Sequence, residues 1–272
     1  MPWVYLLTNV LAVVVAGLAG WRIRRLGNKA FTACMTGAAA VFGLRLLLHA
    51  HPEYEQYFLR FSDDYVYFAA WEAPLAVLMI FGLAGRLRTE RSGRISLASF
   101  ALLAPLFLWN SFAACTAPEN TTPARFDEDG VCRQQSDYSC GPAAAVTLLR
   151  HFGQTVTEGE MSSLCLARPG RGITALELSR GLNIALRPAR QQAVIERLSA
   201  ADFASLRPPF LAETRRGGST GHCVVVLRAE PDAVFLADPA RGRCVSTRAE
   251  FLKQWTGIVI VPQPAPASTY RF

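Results

Sequence analysis

Three side chains in this sequence have the types and the order that nucleophilic acyl transfer requires: a thiol, an imidazole and a carboxylate. Cys140 stands in Ser139-Cys140-Gly141-Pro142-Ala143-Ala144-Ala145-Val146. Pro142 suits a first helical turn, the alanines and leucines after it favour helix, and Gly153 supplies a stop. A thiol at a helix N-terminus meets unpaired N–H groups and the positive end of the helix dipole, which favour the thiolate, the reactive form. His222 heads the β-branched run Gly221-His222-Cys223-Val224-Val225-Val226, which reads as a strand. Beyond the turn at 229–233, Val234-Phe235-Leu236-Ala237-Asp238 reads as a second strand ending in a carboxylate. An antiparallel hairpin returns Asp238 to the neighbourhood of His222, where it would accept the Nδ1 proton, fix the tautomer and leave Nε2 for the thiol. Taken singly, each has a plainer reading: a small cysteine packed at a helix start, a structural histidine, an Asp-Pro turn. Together they make Cys140 the nucleophile, His222 the base and Asp238 the orienter.

The elements that must position these residues follow from pattern. After the Cys140 helix, 157–167 reads as a second helix, and the Gly/Pro-rich loop 168–174 opens a third over 175–181. Short strand pieces are expected at 183–188 and 192–195, and a strand at 210–213 leads into the Arg215-Arg216-Gly217-Gly218 loop. The His222 and Asp238 strands follow, then a helix over 247–255 and a strand over 257–261. Helices come first and strands after, an α+β split with the site between the two sets.

The combination of Gln134, Asp137, Cys140-Gly141-Pro142-Ala143-Ala144, Gly172-Ile173-Thr174, Gly221-His222 with its valine strand, Asp238-Pro239, Phe251 and Trp255 resembles the bacteriocin-processing, double-glycine cysteine peptidases, a papain-like family. The resemblance runs over about residues 130 to 262. It implies a papain-like domain, the same three catalytic residues, and Gln134, six residues before the cysteine, as an oxyanion-hole donor. Such a donor contributes about 3 kcal/mol. Gln135 stands beside it as the residue with which it could be confused. The resemblance further implies a peptide or protein substrate cut after small residues, often a glycine pair, and no cofactor. Well-known members are fused to an export ATPase, whereas these residues contain no Gly-x-x-x-x-Gly-Lys-Ser/Thr phosphate loop.

Of the 272 residues 51% are apolar, and the excess is confined to the first 115. Four stretches there, roughly 3–20, 30–48, 66–85 and 95–114, reach the ~20 residues that cross a bilayer. No positive residue precedes the first, and Arg22, Arg24, Arg25 and Lys29 follow it, so it reads as a retained anchor and not a cleaved signal. Arg86, Arg88, Arg91 and Arg94 follow the third, whereas 49–65 carries Arg60 against Glu53, Glu55, Asp63 and Asp64. The positive-inside rule puts both basic loops in the cytoplasm, and the N-terminus and C-terminal domain outside. The expected organisation is a four-helix membrane domain over 1–115, a Pro-containing linker over 116–130 and a peptidase domain over 131–272, in the cytoplasmic membrane. Partners are then lipid and a peptide substrate, with a further membrane protein open. Much of the net charge of +7 belongs to the loops, so nucleic-acid binding is not expected. Arg45 and Glu72 are the ionisable outliers within the spans and could pair. His49 and His51 lack the neighbours of a metal site.

Outside the cytoplasm, Cys115, Cys132, Cys165, Cys223 and Cys244 meet oxidising conditions. The favoured bridge is Cys115 to Cys132, closing a loop for about 3 kcal/mol, with Cys223 to Cys244 next through the hairpin. Two other functions use the same residues: a membrane-bound transpeptidase or amidase with the same triad, and a non-catalytic peptide-gripping domain of a transport assembly. The intact Gln, Cys, His and Asp set argues against the second.

Overall fold

The computed structural model describes residues 2–23, 25–59, 72–84, 122–167, 172–215 and 221–266. The chain divides into two compact units, Met1–Ala117 and Pro118–Phe272.

In the first unit α1 spans Pro2–Ile23, α2 Asn28–Ala50, α3 Pro52–Leu59 and α4 Glu72–Ala84. Helix α4 packs on α1 and α2, burying Val13, Ala16 and Val77. By length and composition α2 is apolar enough to cross a membrane, and none of its residues is buried. The first expected span falls in α1, the third is described only over the 13 residues of α4, and the fourth, 95–114, lies outside the described residues. Arg45 on α2 pairs with Glu55 of α3; the Glu72 side chain lies outside the described residues.

The second unit opens with an irregular segment, then α5 Cys140–His151, α6 Glu158–Leu164 and α7 Ala175–Leu186. Thr157 and Thr174 begin α6 and α7 with capping boxes, each hydroxyl accepting from the N3 amide while Glu160 or Glu177 reaches back. Strands β1 Gln191–Arg197, β2 Phe210–Arg215, β3 Gly221–Ala229, β4 Ala233–Asp238, β5 Gly242–Thr247 and β6 Trp255–Pro264, with α8 Arg248–Gln254 before the last, form one sheet. Its order is β1-β6-β2-β3-β4-β5, with antiparallel pairs throughout. This is the α+β domain expected.

Both faces of the sheet are covered. Phe210, Ala212, Val224, Val226, Val234, Leu236 and Val259 form one cluster with Phe203, Phe251 and Trp255, where the Phe203 ring lies 5.2 Å from Trp255 and 5.3 Å from Phe251. The alternate residues Leu211, Val225, Ala237 and Ile260 are buried as well, and α5 packs over β2, β3 and β4 on that side. Gly141 to Leu149 of α5 are all buried, so this short, alanine-rich helix lies between layers and shows no polar stripe over that stretch.

Two expectations are corrected. Residues 183–186 continue α7, and a 3-10 turn, Arg187–Ala189, follows in place of the expected strand. Leu178, Leu182 and Leu186 recur every four residues and are buried, a helical period that overrides the local strand signal. Gly181 is accordingly no stop: a Cβ there would lie 2.5 Å from Cys165 Sγ, so the glycine lets α6 and α7 approach. Strand β5 was not expected, since Gly242-Arg243-Cys244 begins it with polar residues and it forms an edge. It also excludes the Cys223–Cys244 bridge. Strand β4 lies between β3 and β5, so two interstrand spacings, roughly 9–10 Å, separate residues that a disulfide needs within about 7 Å. Cys132, Cys223 and Cys244 all carry free thiols; Cys115 lies outside the described residues.

Candidate active site

The nucleophile candidate sits where the chain turns into α5. Ser139 precedes the helix, and its hydroxyl accepts from Ser136 N–H at 3.1 Å and donates to Ser136 C=O at 3.2 Å. That tight loop fixes the first turn. The His222 ring and the backbone N–H groups of Cys223 and Gly141 lie near enough to the Cys140 sulfur to stabilise its charge. Burial works to raise the thiol pKa, but the hydrogen bonds from His222 and Cys223 and the imidazole charge outweigh it and hold Cys140 below its ordinary value.

His222 and Asp238 follow from the sheet register. Val225 pairs with Ala237, so Asp238 falls opposite residue 224 and His222 occupies the diagonal position two residues on. Spanning a diagonal takes the far ring nitrogen. His222 Nε2 meets Asp238 Oδ1 at 2.8 Å, and the ring's near side is left for the thiol. The expected nitrogen assignment is therefore reversed: Nε2 serves the carboxylate and Nδ1 the sulfur. Both residues are buried. Desolvation pushes the His222 pKa down, yet the hydrogen bonds and charges of Asp238 and Cys140 prevail and raise it to about 9. Imidazole raised and thiol lowered are shifts in the two directions that favour passing the Cys140 proton to His222.

Asp238 is held by the turn it belongs to. Its Oδ1 also accepts from Ala240 N–H at 2.8 Å, an Asx turn, and Arg241 stands 3.8 Å from Oδ2. The Asp-Pro turn and the orienting carboxylate are one arrangement, with the turn geometry aiming the second oxygen lone pair at His222.

The two glutamines separate cleanly. Gln134 N–H donates to Pro239 C=O at 3.0 Å, which ties it to the Asp238 turn, and its Nε2 donates to Ser136 C=O at 2.8 Å, in the loop leading to Cys140. Its Oε1 is buried without a hydrogen-bond partner. Gln135 turns the other way: its backbone N–H and Nε2 both donate to the buried Glu158, at 3.1 and 2.8 Å. Sequence reading missed Glu158, which lay inside a polar helix start. It also missed Arg133, whose guanidinium donates to Ala240 C=O and lies 3.4 Å from Asp127, bracing the same turn. Of the other residues carrying the resemblance, Ile173 packs on Gly141, where a Cβ would collide with it. Thr174 caps α7, and Phe251 and Trp255 belong to the hydrophobic core, Trp255 pairing with Thr214, which pairs in turn with His222. Among the described residues no group of three His, Cys, Asp or Glu side chains is placed to hold a metal ion.

A family model described as the peptidase C39 family matches residues 129–267. An uncharacterized protein of Methanothermobacter marburgensis is 37% identical over 134 residues, covering 49% of this chain and 88% of that one. The lactococcin-G-processing and transport ATP-binding protein LagD of Lactococcus lactis is 27% identical over 132 residues, 48% of this chain but 18% of that protein's length, so this chain spans less than a fifth of it. Among solved structures, a double glycine motif protease from an AMS/PCAT transporter in complex with the leader peptide is similar with a TM-score of 0.44 and 20% identity, over 54% of this chain and 98% of that one.

Proposed function

Because the chain belongs to the peptidase C39 family, we propose that it is a membrane-bound cysteine peptidase cutting peptides after small residues, with Cys140, His222 and Asp238 as its triad. The observation that carries this is the hydrogen bond from His222 Nε2 to Asp238 Oδ1 at 2.8 Å, beside a Cys140 thiol whose pKa the His222 ring lowers. The Cys140 thiolate attacks the scissile carbonyl carbon. The oxygen that gains the charge is met by the Cys140 backbone N–H, in a helical turn with no internal acceptor for it, and by the second Nε2 hydrogen of Gln134. His222 gives its proton to the leaving amine, the C–N bond breaks and a thioester remains. His222 then takes a proton from water as the water attacks, and the returning thiolate completes the cycle. Asp238 holds the ring through Nε2 and offsets its positive charge throughout. The substrate class follows the family, where LagD is named for processing lactococcin G, and the crowding of Ile173 against Gly141 supports narrow space beside the nucleophile.

The membrane reading rests on α2, an apolar helix none of whose residues is buried in the fold, and on the arginines flanking the expected spans. It gives a multi-pass membrane domain over 1–115, a linker over 116–130 and an extracytoplasmic peptidase domain over 131–272. A further membrane protein fits as a partner that delivers the peptide.

A peptide library profiled by mass spectrometry with wild type and Cys140→Ser tests the activity and its specificity. Cuts after Gly-Gly or Gly-Ala, absent in Cys140→Ser, are expected. A preference for large or basic residues at the cut overturns the specificity, and products joined to an added amine acceptor would make the enzyme a transpeptidase.

A further inference from the structure

The peptidase chemistry leaves one feature of the site unused, a second thiol beside the first. The register Leu211↔Val225 and Glu213↔Cys223 places Cys223 on the sheet face of Leu211 and Val225, which α5 covers, and Cys140 is the first residue of α5. Helix α5 packs on β3, and Cys140 and Cys223 lie near enough for each to act on the ionisation of the other. Strand start and helix start thus bring two cysteines to one small volume. The other described cysteines of this unit are placed differently. Cys244 lies two strands away on β5. The residue after Val131, Cys132, donates its N–H to Thr147, seven residues along α5 from Cys140 and so about 10 Å from the helix start. Cys165 is fully buried, its sulfur packed at Gly181.

We infer that Cys223 is a resolving thiol, closing a disulfide with Cys140 when Cys140 is oxidised and so holding the peptidase in an inactive, reducible form. The inference rests on Cys140 being the reactive thiolate of the proposed function. The oxidant is a hydroperoxide. The Cys140 thiolate attacks its terminal oxygen, the O–O bond breaks, and the sulfur is oxidised to sulfenic acid while the peroxide is reduced and leaves as hydroxide or alkoxide. The Cys223 thiol then attacks that sulfur: the S–S bond forms, the S–O bond breaks, and the departing oxygen takes the thiol proton and leaves as water. A small-molecule thiol reverses the bond by exchange. Without such a partner, a second peroxide takes the sulfenic acid to sulfinic acid, which is irreversible for most proteins. Burial, then the negative charges of Cys140 and Glu213, keep the Cys223 thiol protonated, so it does not compete for the oxidant. Once Cys140 is a neutral sulfenic acid the larger of those charges is gone, which eases loss of the Cys223 proton as it attacks. The closed bond also removes the sulfur from His222, which stops turnover.

The test oxidises the full-length protein in detergent with hydrogen peroxide and reads it in two ways, by mapping linked peptides and by peptidase activity. Activity is taken before oxidation, after it and after reductant, for wild type, Cys165→Ser and Cys223→Ser, each scaled to its own starting value. Wild type and Cys165→Ser are expected to carry a Cys140–Cys223 link, lose activity and regain it on reduction; Cys223→Ser accumulates sulfinic acid at Cys140 and regains none. The wild-type map decides the matter even where Cys223→Ser fails to fold. Wild-type Cys140 passing to sulfinic acid unlinked, or linked to Cys165, overturns the inference. Mapping needs no turnover, so an active peptidase without the link removes this inference alone, and a linked protein that cuts no peptide removes the peptidase reading alone.

Discussion

At His222 burial and bonding pull in opposite directions, and the balance sets the chemistry. Desolvation would make the ring neutral, but Asp238 and Cys140 hold its proton up to about 9, so the imidazolium that the proposed mechanism uses to protonate the leaving amine persists through neutral pH. Activity should fall on the alkaline side as pH rises through about 9 and on the acid side as the Cys140 thiolate is protonated. Asp238→Asn removes the charge that raises His222, so the alkaline limb should move to lower pH. Its kcat falls less than in Cys140→Ser or His222→Ala, because the amide oxygen still accepts from Nε2. Those two should lose roughly 10⁴-fold or more with the fold intact. An alkaline limb unmoved in Asp238→Asn would assign that limb to another group. The glutamines divide likewise. Gln134→Ala should lower kcat by roughly 10²–10³. Gln135→Ala should leave kcat alone and cost about 1–3 kcal/mol in stability, since buried Glu158 loses the side-chain donor Nε2 and keeps only the backbone N–H of residue 135. The places of the candidate residues were legible in the sequence because Cys140 opens a helix, His222 stands at a strand start and Asp238 closes a strand. Which ring nitrogen faces the thiol was not, because that depends on a diagonal register no sequence pattern displays.

At the scale of elements, close packing decides which glycines matter. Gly181→Ala gains up to about 1 kcal/mol of helix propensity but drives a methyl against Cys165 Sγ at 2.5 Å and its backbone N at 3.2 Å. Overpacking of this kind costs about 1–3 kcal/mol, so denaturant melts should show net destabilisation; a more stable variant would mean that α6 and α7 shift apart freely. Helix α5 and strands β2, β3 and β4 could be read from the sequence because their apolar runs are long and bounded by Gly and Pro. Residues 183–188 could not, since Asn183 is drawn into the helix by tertiary bonds. Its side chain bonds Ser179 C=O within the helix at 2.9 Å and both backbone groups of Ala193, at 3.0 and 2.8 Å, partners that exist only once β1 has docked. Strand β5 stayed hidden for a related reason: an exposed edge strand alternates polar residues and carries little burial signal.

For the whole molecule, the apolar helices and the peptidase domain answer to different solvents. No residue of α2 is fully buried in the fold, and on the proposed membrane reading a bilayer surrounds the helix. A membrane-impermeant thiol reagent added to intact cells should therefore reach Cys140 without lysis; labelling that appears only on lysis places the domain in the cytoplasm. The account stands most directly on Cys140 being a thiolate made by His222, and this can be measured in native membranes without knowing the substrate. The measurement is the rate of Cys140 alkylation against pH, in wild type and His222→Ala, with every modified cysteine identified by mass spectrometry. The account predicts that wild-type Cys140 is labelled ahead of the other cysteines and stays reactive at pH values well below the ordinary thiol range, and that His222→Ala returns it to that range. Identical profiles in the two proteins, or faster labelling of another cysteine, would contradict it.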